Sequence, residues 1–420
     1  MSSFRFTCVL SLLTAALLAH DAAAQDWTIT TADFRTRPAL LHGLSRDGVR
    51  YTAPGSGDEH VIPLDQFVAA QRATSDSSVS ISAAAKFTLV LRNGDRLAGE
   101  PAHVANERLT WRSVVLGELP IPLQQLAALA RGGEVSAPTE PPKQDVVALA
   151  NGDSVAGIVA DCTADKISVQ TDAGVTDVPM ASVSKVLFAA VGGARTTTAA
   201  PGYRVKLTDG SAIRSAHATF TGDQLTITLD GKPPRKISLR LSDVISIEQL
   251  NGPISWLSSR TPSESVQVPY FGGASTWPAR FDAAVDGGPL RFGSQTFDHG
   301  IGVHAYSRLV LAVDPGWVAF RTQYAIDSRR DASRPLADVT VRVKLDDRVV
   351  HEQSHVRAGA LSPVVSVDLN GAKTLTLEVD YGDGGDTQDH LNWIEPALLR
   401  VRPTAGASPT AEPSTVTTTP

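Results

Sequence analysis

Polar and aromatic side chains crowd into one short run near the end of the chain, Asp389-His390-Leu391-Asn392-Trp393. A sugar presents an apolar CH face and a ring of hydroxyls, so its site needs an aromatic to stack on and hydrogen-bonding groups beside it. Trp393 with His390 and Asn392 has that composition. The competing interpretation places Trp393 in the core, where large aromatics mostly lie.

Two other segments carry the same residue types. His304 follows the turn Gly300-Ile301-Gly302 and is either part of a hydrogen-bonding wall or a buried histidine that bonds a neighbouring strand. Trp277 follows Tyr270-Phe271 in an irregular stretch where exposure is expected; the alternative is that it closes one end of a domain. The candidate binding residues are therefore Trp393, Asn392, His390, His304 and Trp277.

Acidic residues gather between positions 380 and 389, where Asp383, Asp386 and Asp389 alternate with glycines and polar residues. Oxygen-rich loops with glycine turns suit Ca²⁺, which takes roughly six to eight oxygen ligands, so these carboxylates are candidate metal ligands. The alternative is a solvated acidic turn. A glycosidase also needs two carboxylates, but they must flank the scissile bond, and these three lie in one loop.

Other catalytic patterns give no better candidate. The sequence has no Gly-x-Ser-x-Gly elbow and no P-loop. His351 and His355 are four residues apart, a spacing that pairs metal ligands on a helix, but their segment has the pattern of a strand and a turn. Cys162 has no histidine near it in the sequence. We therefore expect a protein that is not an enzyme.

Three segments repeat one pattern of short apolar strands around an Asn-Gly or Asp-Gly turn. Their glycines, Gly94, Gly152 and Gly210, are 58 residues apart, and a tight hairpin requires positive φ at such positions. The pattern predicts small SH3-like or Sm-like β-meander repeats over residues 86–130, 145–190 and 202–250. One such unit has a thin core, so neighbouring copies are expected to pack together. Residues 25–75 resemble the later part of the unit without its turn and are interpreted as a degenerate copy.

Residues 262–402 contain many short alternating strands separated by turns, which predicts a β-sandwich. This segment resembles the NPCBM family, carbohydrate-binding modules found with glycoside hydrolase family 98. The resemblance rests on two blocks in order, Phe297-Asp-His-Gly-Ile-Gly-Val-His304 and Asp389-His-Leu-Asn-Trp393. It implies a galactose-binding-like jelly-roll sandwich and carbohydrate binding. No segment resembles the family 98 catalytic domain.

Composition narrows the function classes. The 420 residues carry a formal charge of -6, which argues against a nucleic-acid binder because that class needs a basic stripe. The two cysteines, Cys8 and Cys162, exclude a disulfide framework. Residues 1–24 have the layout of a secretory signal peptide cleaved near Ala24, the alternative being an uncleaved anchor. No later run is long enough to span a membrane, and residues 403–420 form a Thr/Pro/Ser tail too poor in apolar residues to fold.

Together these patterns predict a secreted, periplasmic or cell-envelope all-β protein whose C-terminal sandwich binds a glycan. The repeats would be a spacer or a docking array for envelope proteins. Two alternatives stay open: an envelope assembly protein whose sandwich binds a protein partner, and a glycoside hydrolase without a recognised motif. Structural Ca²⁺ is the one cofactor suggested, and neither a nucleic-acid partner nor stable membrane insertion is expected.

Overall fold

The computed structural model describes residues 27–72, 86–131, 141–190, 201–229, 234–272, 277–327 and 334–400. Within these ranges the regular structure consists of β-strands and short 3-10 turns, which confirms the predicted all-β class. No helix in the described ranges is long and apolar enough to cross a membrane. The predicted signal peptide and the predicted C-terminal tail lie outside the described residues.

The first part of the chain builds four sets of strands. The N-terminal repeat contains β1 (Trp27–Thr31), β2 (Thr36–Ser45), β3 (Gly48–Thr52), β4 (Glu59–Ile62) and β5 (Phe67–Arg72). Repeat 1 contains β6 (Phe87–Leu91), β7 (Arg96–Ala105), β8 (Arg108–Ser113), β9 (Gly117–Pro122) and β10 (Leu126–Arg131). Repeat 2 contains β11 (Asp145–Leu149), β12 (Ser154–Cys162), β13 (Lys166–Thr171), β14 (Gly174–Pro179) and β15 (Val183–Leu187). Repeat 3 contains β16 (Gly202–Leu207), β17 (Ala212–Ser215), β18 (Ala218–Thr221), β19 (Gln224–Leu229), β20 (Arg235–Arg240) and β21 (Val244–Leu250).

All four repeats share one strand order. In repeat 1, for example, β6 pairs with the first half of β7, the second half of β7 pairs with β8, and β8 pairs with β9. The last strand, β10, returns to the free edge of β6. In repeats 1, 2 and 3 a 3-10 turn precedes that last strand, at Leu123–Gln125, Met180–Ser182 and Leu241–Asp243. This bent meander, closed by its last strand, is the small SH3-like barrel that the repeat pattern predicts.

The turn between the first two strands has the same geometry in each repeat. Gly94, Gly152 and Gly210 have φ values of 90°, 93° and 92°, which confirms the positive φ predicted for them. In the N-terminal repeat the equivalent residue is Phe34, with a φ of 61°. Its amide donates to the carbonyl of Thr31, just as the amide of Gly94 donates to that of Leu91. The N-terminal segment therefore has the complete set of strands, and its turn escaped the sequence pattern because phenylalanine stands where glycine is expected.

The repeats share one continuous hydrophobic core, because the interior of a single unit is too thin to be stable alone. Last strands pair between repeats, β5 with β21 and β10 with β15. Repeats 1 and 3 are joined where β7 meets β17, at Arg96 and Ala212. The spatial order is therefore N-terminal repeat, repeat 3, repeat 1, repeat 2, which differs from the order in the chain.

The second part of the chain is a sandwich of two antiparallel sheets. Its strands are β22 (Ile254–Trp256), β23 (Glu264–Gln267), β24 (Arg280–Phe281), β25 (Leu290–Phe292), β26 (Gln295–Phe297), β27 (Gly300–His304), β28 (Ser307–Ala312), β29 (Ala319–Ile326), β30 (Asp338–Leu345), β31 (Arg348–Arg357), β32 (Val365–Asp368), β33 (Thr374–Tyr381) and β34 (His390–Leu399), with a 3-10 turn at Leu257–Ser259. One sheet has the order β24-β27-β34-β29-β32, with β22 also on β34, and the other has the order β23-β28-β33-β30-β31. Strands β25 and β26 form a separate hairpin.

The sandwich contacts the barrels at two places. The ring of Phe34 lies 3.9 Å below the guanidinium of Arg321 and meets Trp256 edge to face at 6.1 Å. Trp256 also stacks on His299, whose Nε2 lies 3.4 Å from Glu248 of repeat 3. Arg321, Trp256 and Glu248 are buried in these contacts, and Phe34 and His299 are partly buried, so the N-terminal repeat and repeat 3 support the sandwich directly.

Candidate functional site

Three ring side chains meet at one end of the sandwich. The pairing of β27 with β34 places His304 opposite His390, with their ring centroids 5.1 Å apart. Trp277, shortly before β24, stacks on His304 at 5.7 Å with an interplanar angle of 12° and lies 5.1 Å from His390. The histidines are 9% and 8% exposed, whereas Trp277 is 42% exposed. The imidazoles thus support the indole from the protein side and leave part of it open to solvent.

An open cavity of about 220 Å³ adjoins this cluster, and its lining includes Trp277, His304, Phe271, Tyr306 and Asp386. Phe271 is 90% exposed and its neighbour Tyr270 is 52% exposed, so the cavity rim is aromatic. Aromatic faces beside a few polar groups suit a ligand that has both an apolar face and hydroxyls.

Hydrogen bonds define the polar side of the surface. Nδ1 of His304 lies 2.8 Å from the carbonyl oxygen of Ala305, so the Nδ1–H donates to that oxygen. In the neutral imidazole Nε2 is then an acceptor. Oδ2 of Asp386 accepts a hydrogen bond from the backbone amide of Tyr270 at 3.0 Å, which ties the acidic loop to the exposed aromatics.

The structure overturns the stacking role predicted for Trp393. Its indole is 0% exposed and packs edge to face on Tyr324, with 5.7 Å between centroids. Asn392 is 1% exposed, and its Nδ2 donates to Oδ1 of Asp327 at 2.9 Å. Successive side chains of a strand point to opposite faces, so Trp393 lies on the face opposite to that of His390. Asn392 shares the face of His390 but is covered there, where it bonds Asp327. Of that run, His390 reaches the cluster, whereas Trp393 and Asn392 are interior residues.

The three candidate calcium ligands contact different partners. Asp383 is exposed and lies 4.0 Å from Nδ1 of His355, whereas Asp386 accepts from the Tyr270 amide. Asp389 is 1% exposed, and its Oδ1 accepts from the backbone amide of Asp338 at 3.0 Å. In the described part of the chain the three carboxylates do not meet at one point. The residues whose possible ligand atoms lie within 4.8 Å of one another are Asp338, His355 and Asp383. Asp338 was not predicted from the sequence, because it has no acidic neighbour in the chain.

Asp389 nevertheless has an environment that fits a cation. Burial raises its pKa to about 7, and the nearby charge of Asp338 acts in the same direction. Oδ2 of Asp389 and Oδ1 of Asp338 are buried, and neither has a hydrogen-bond partner among the described residues. Carboxylate oxygens of this kind are suitable ligands for Ca²⁺. Asp389 and Asp338, rather than Asp383 and Asp386, are therefore the residues that would hold the ion.

The segment His351-Glu352-Gln353-Ser354-His355 has the residue order of the zinc-protease motif His-Glu-x-x-His, but it lies on strand β31. Residues four apart on a strand are separated by about 13 Å, too far for two ligands of one ion. Nε2 of His351 lies 2.9 Å from the Tyr324 hydroxyl, and Nδ1 of His355 lies 3.2 Å from Asp338 Oδ2. The strand geometry therefore separates the two histidines, and the motif lacks its helix.

Residues 255–399 match the family model of the NPCBM/NEW2 domain. Over 120 residues the chain is 28% identical to a protein of Renibacterium salmoninarum named "Putative endo-alpha-N-acetylgalactosaminidase"; the match covers 29% of this chain but only 8% of that relative. A CBM51 module of Clostridium perfringens GH95, solved with methyl-galactose, is 22% identical with a TM-score of 0.29, covering 34% of this chain and 99% of that one. Tandem CBM51 modules of a family 98 glycoside hydrolase from Streptococcus pneumoniae are 20% identical with a TM-score of 0.31, covering 37% and 50%. The chain thus carries an NPCBM domain at residues 255–399.

Proposed function

We propose that the NPCBM domain binds a glycan at the surface formed by Trp277, His304 and His390. The observation that carries this proposal is the partly exposed Trp277 indole, held against two buried imidazoles beside an open cavity. A pyranose would stack its CH face on the indole while its hydroxyls bond to the polar groups of the rim. One central stacking aromatic supports only weak affinity, with a Kd on the order of millimolar to tens of micromolar.

Binding takes place without hydrolysis in this proposal. Asp383, Asp386 and Asp389 have separate partners and do not form a pair that flanks a cleft. The barrel repeats act as a spacer for the module or as a docking array for envelope proteins. Export by the predicted signal peptide places the module outside the cytoplasm, where it meets glycans.

Titration of the full chain with a panel of oligosaccharides tests the proposal. Trp277→Ala and His304→Ala should weaken binding in folded protein. Phe281→Ala is the matched control, because Phe281 is an aromatic of similar exposure, 38%, that does not line the cavity. Release of reducing sugar by the chain would instead favour a hydrolase, and binding to no glycan together with retention of an envelope protein would favour a protein-binding module.

We also propose a structural calcium ion at Asp389. A bound cation would compensate the buried carboxylate charge, and a ligand that binds only the native state raises its melting temperature. A chelator should therefore lower the melting temperature of the native chain and leave that of Asp389→Asn unchanged. If the native chain melts at the same temperature with and without chelator, the calcium proposal is wrong.

A further inference from the structure

Repeats 1 and 3 meet through equivalent residues. Arg96 and Ala212 pair directly, and each is the residue two positions after the turn glycine of its own repeat. The backbone amide of Ala98 donates to Ser211 Oγ at 3.0 Å, and the amide of Arg214 donates to Asp95 Oδ1 at 2.8 Å. In both bonds the donor lies two residues after the paired position and the acceptor one residue before it. The contact is therefore a local twofold, in which each repeat offers the same edge to the other.

The edge that makes this contact consists of the first turn of the repeat and the first half of its second strand. It is buried in repeats 1 and 3. Asp95 is 6% exposed, Ala98 is 5% exposed and Ser211 is 1% exposed. In the N-terminal repeat the corresponding turn is covered by the sandwich, through Phe34 against Arg321 and Trp256. The strand edge after that turn is nevertheless exposed at Thr36 and Pro38, and Pro38, at the position of Ala98, has no backbone amide to donate. The N-terminal repeat therefore cannot form the pair of hydrogen bonds that joins repeats 1 and 3.

The equivalent edge of repeat 2 is also open, and it keeps the backbone amide that this contact requires. Its equivalent residues Asp153, Ser154 and Ala156 are all exposed, and Ser154–Gly157 pairs only with β11 among the described strands. Two exposed apolar side chains lie next to this edge, Ile158 on β12 (67% exposed) and Val175 on β14 (63% exposed). Both are paired with Gln170 of β13, which lies between them. An open strand edge beside exposed apolar side chains is a surface that another strand can cover.

We propose that repeat 2 binds a second copy of this chain through the open edge of β12, in the same twofold arrangement that joins repeats 1 and 3. Ser154 would pair with Ser154 of the second copy. Each Ala156 amide would donate to the other copy's Asp153 carboxylate, as Ala98 and Arg214 donate within the chain. A self-complementary edge closes into a dimer, and no third copy can add at the same place. Two NPCBM domains would then engage a surface together, which raises avidity without any new sugar contact.

The dimer should be weak because its two copies lose translational and rotational freedom when they associate. Repeats 1 and 3 avoid this cost because they belong to one chain. We expect a Kd of roughly tens to hundreds of micromolar, as for a small interface. Sedimentation equilibrium of the full chain, over a concentration series that reaches the millimolar range, should show a reversible dimer. Ala156→Glu should weaken that dimer by about tenfold or more, because the new carboxylate would conflict sterically with the other copy and would repel its Asp153 carboxylate. Ala216→Glu, an exposed alanine-to-glutamate change on repeat 3, should leave it unchanged.

A crosslink tests the register. Directly paired antiparallel Cα atoms are about 4.5–5.5 Å apart, a distance that a disulfide spans. In a Cys8→Ser background, where Cys162 is buried, Ser154→Cys should form a covalent dimer much faster than Ala216→Cys under the same oxidant. The proposal is overturned by a chain that stays monomeric across the series, by a dimer that Ala156→Glu leaves unchanged, by equal crosslinking rates, or by a different protein that occupies this edge of a monomeric chain.

Discussion

Replacement of Trp277 by alanine should remove the stacking part of glycan binding while leaving the sandwich folded. The indole is 42% exposed, and because a tryptophan side chain has about 250 Å² of surface, about 100 Å² of it faces solvent. A pyranose covering half of that area would remove about 100 Å² from water, counted over both partners. At about 25 cal/mol per Å² this contributes about 2.5 kcal/mol, so the Kd should rise roughly 70-fold.

Isothermal titration of the full chain measures this change. Trp277→Phe keeps an aromatic face and should retain part of the affinity, whereas Phe281→Ala should retain all of it. Trp393→Phe removes a buried indole from the core and should lower the melting temperature while leaving the Kd unchanged. These variants separate an effect on the ligand surface from an effect on packing.

Two results would refute this reasoning. One is a folded Trp277→Ala chain that binds the same oligosaccharide with the native Kd. The other is an equal loss of affinity in Trp277→Ala and Phe281→Ala, which would mean that the binding surface does not depend on the Trp277–His304 stack.

Three further predictions concern stability. Gly152→Val places a branched side chain at a φ of 93° and should cost about 1 kcal/mol or more; since the repeats share one core, thermal melting should show one shifted transition rather than a separate early one. Phe34→Ala and Phe34→Gly both lose the ring contact with Arg321, but only glycine adopts the positive φ without strain. The free energy of unfolding of the glycine variant should therefore be about 1 kcal/mol higher than that of the alanine variant, and equal values would show that the turn is unstrained. Burial raises the Asp389 pKa from 3.8 to about 7, so in the absence of a bound cation the native state holds this proton more tightly than the unfolded state, and the native chain loses stability as pH rises from about 4 to 7. Asp389→Asn keeps the acceptor for the Asp338 amide and carries no charge, so in chelator its free energy of unfolding should rise relative to the native chain across that window; a pH-independent difference between the two would contradict the raised pKa.

Local patterns were sufficient for most strands and for the turns of repeats 1, 2 and 3, but not for the turn at Phe34. Alternation of apolar residues with turn residues between them decides strand formation within a few residues, and Gly94, Gly152 and Gly210 have the positive φ that Asn-Gly and Asp-Gly turns require. The two NPCBM blocks were also recognisable in the sequence, because a residue order survives whatever the packing around it.

The candidate site depended on tertiary structure at its decisive points. Strand alternation sends His390 to the surface cluster and Trp393 to the core, but which face is interior depends on the packing of the opposite sheet. The buried indole of Trp393 then lies against Tyr324 on the neighbouring strand β29. Trp277 lies near His304 because β24, which follows it, pairs with β27, and His390 joins them because β27 pairs with β34. Asp338 likewise meets Asp389 only through the tertiary structure. Likewise the 58-residue period identified the repeats but not their spatial order, since the chain carries no local signal for which equivalent edges pair and which stay open.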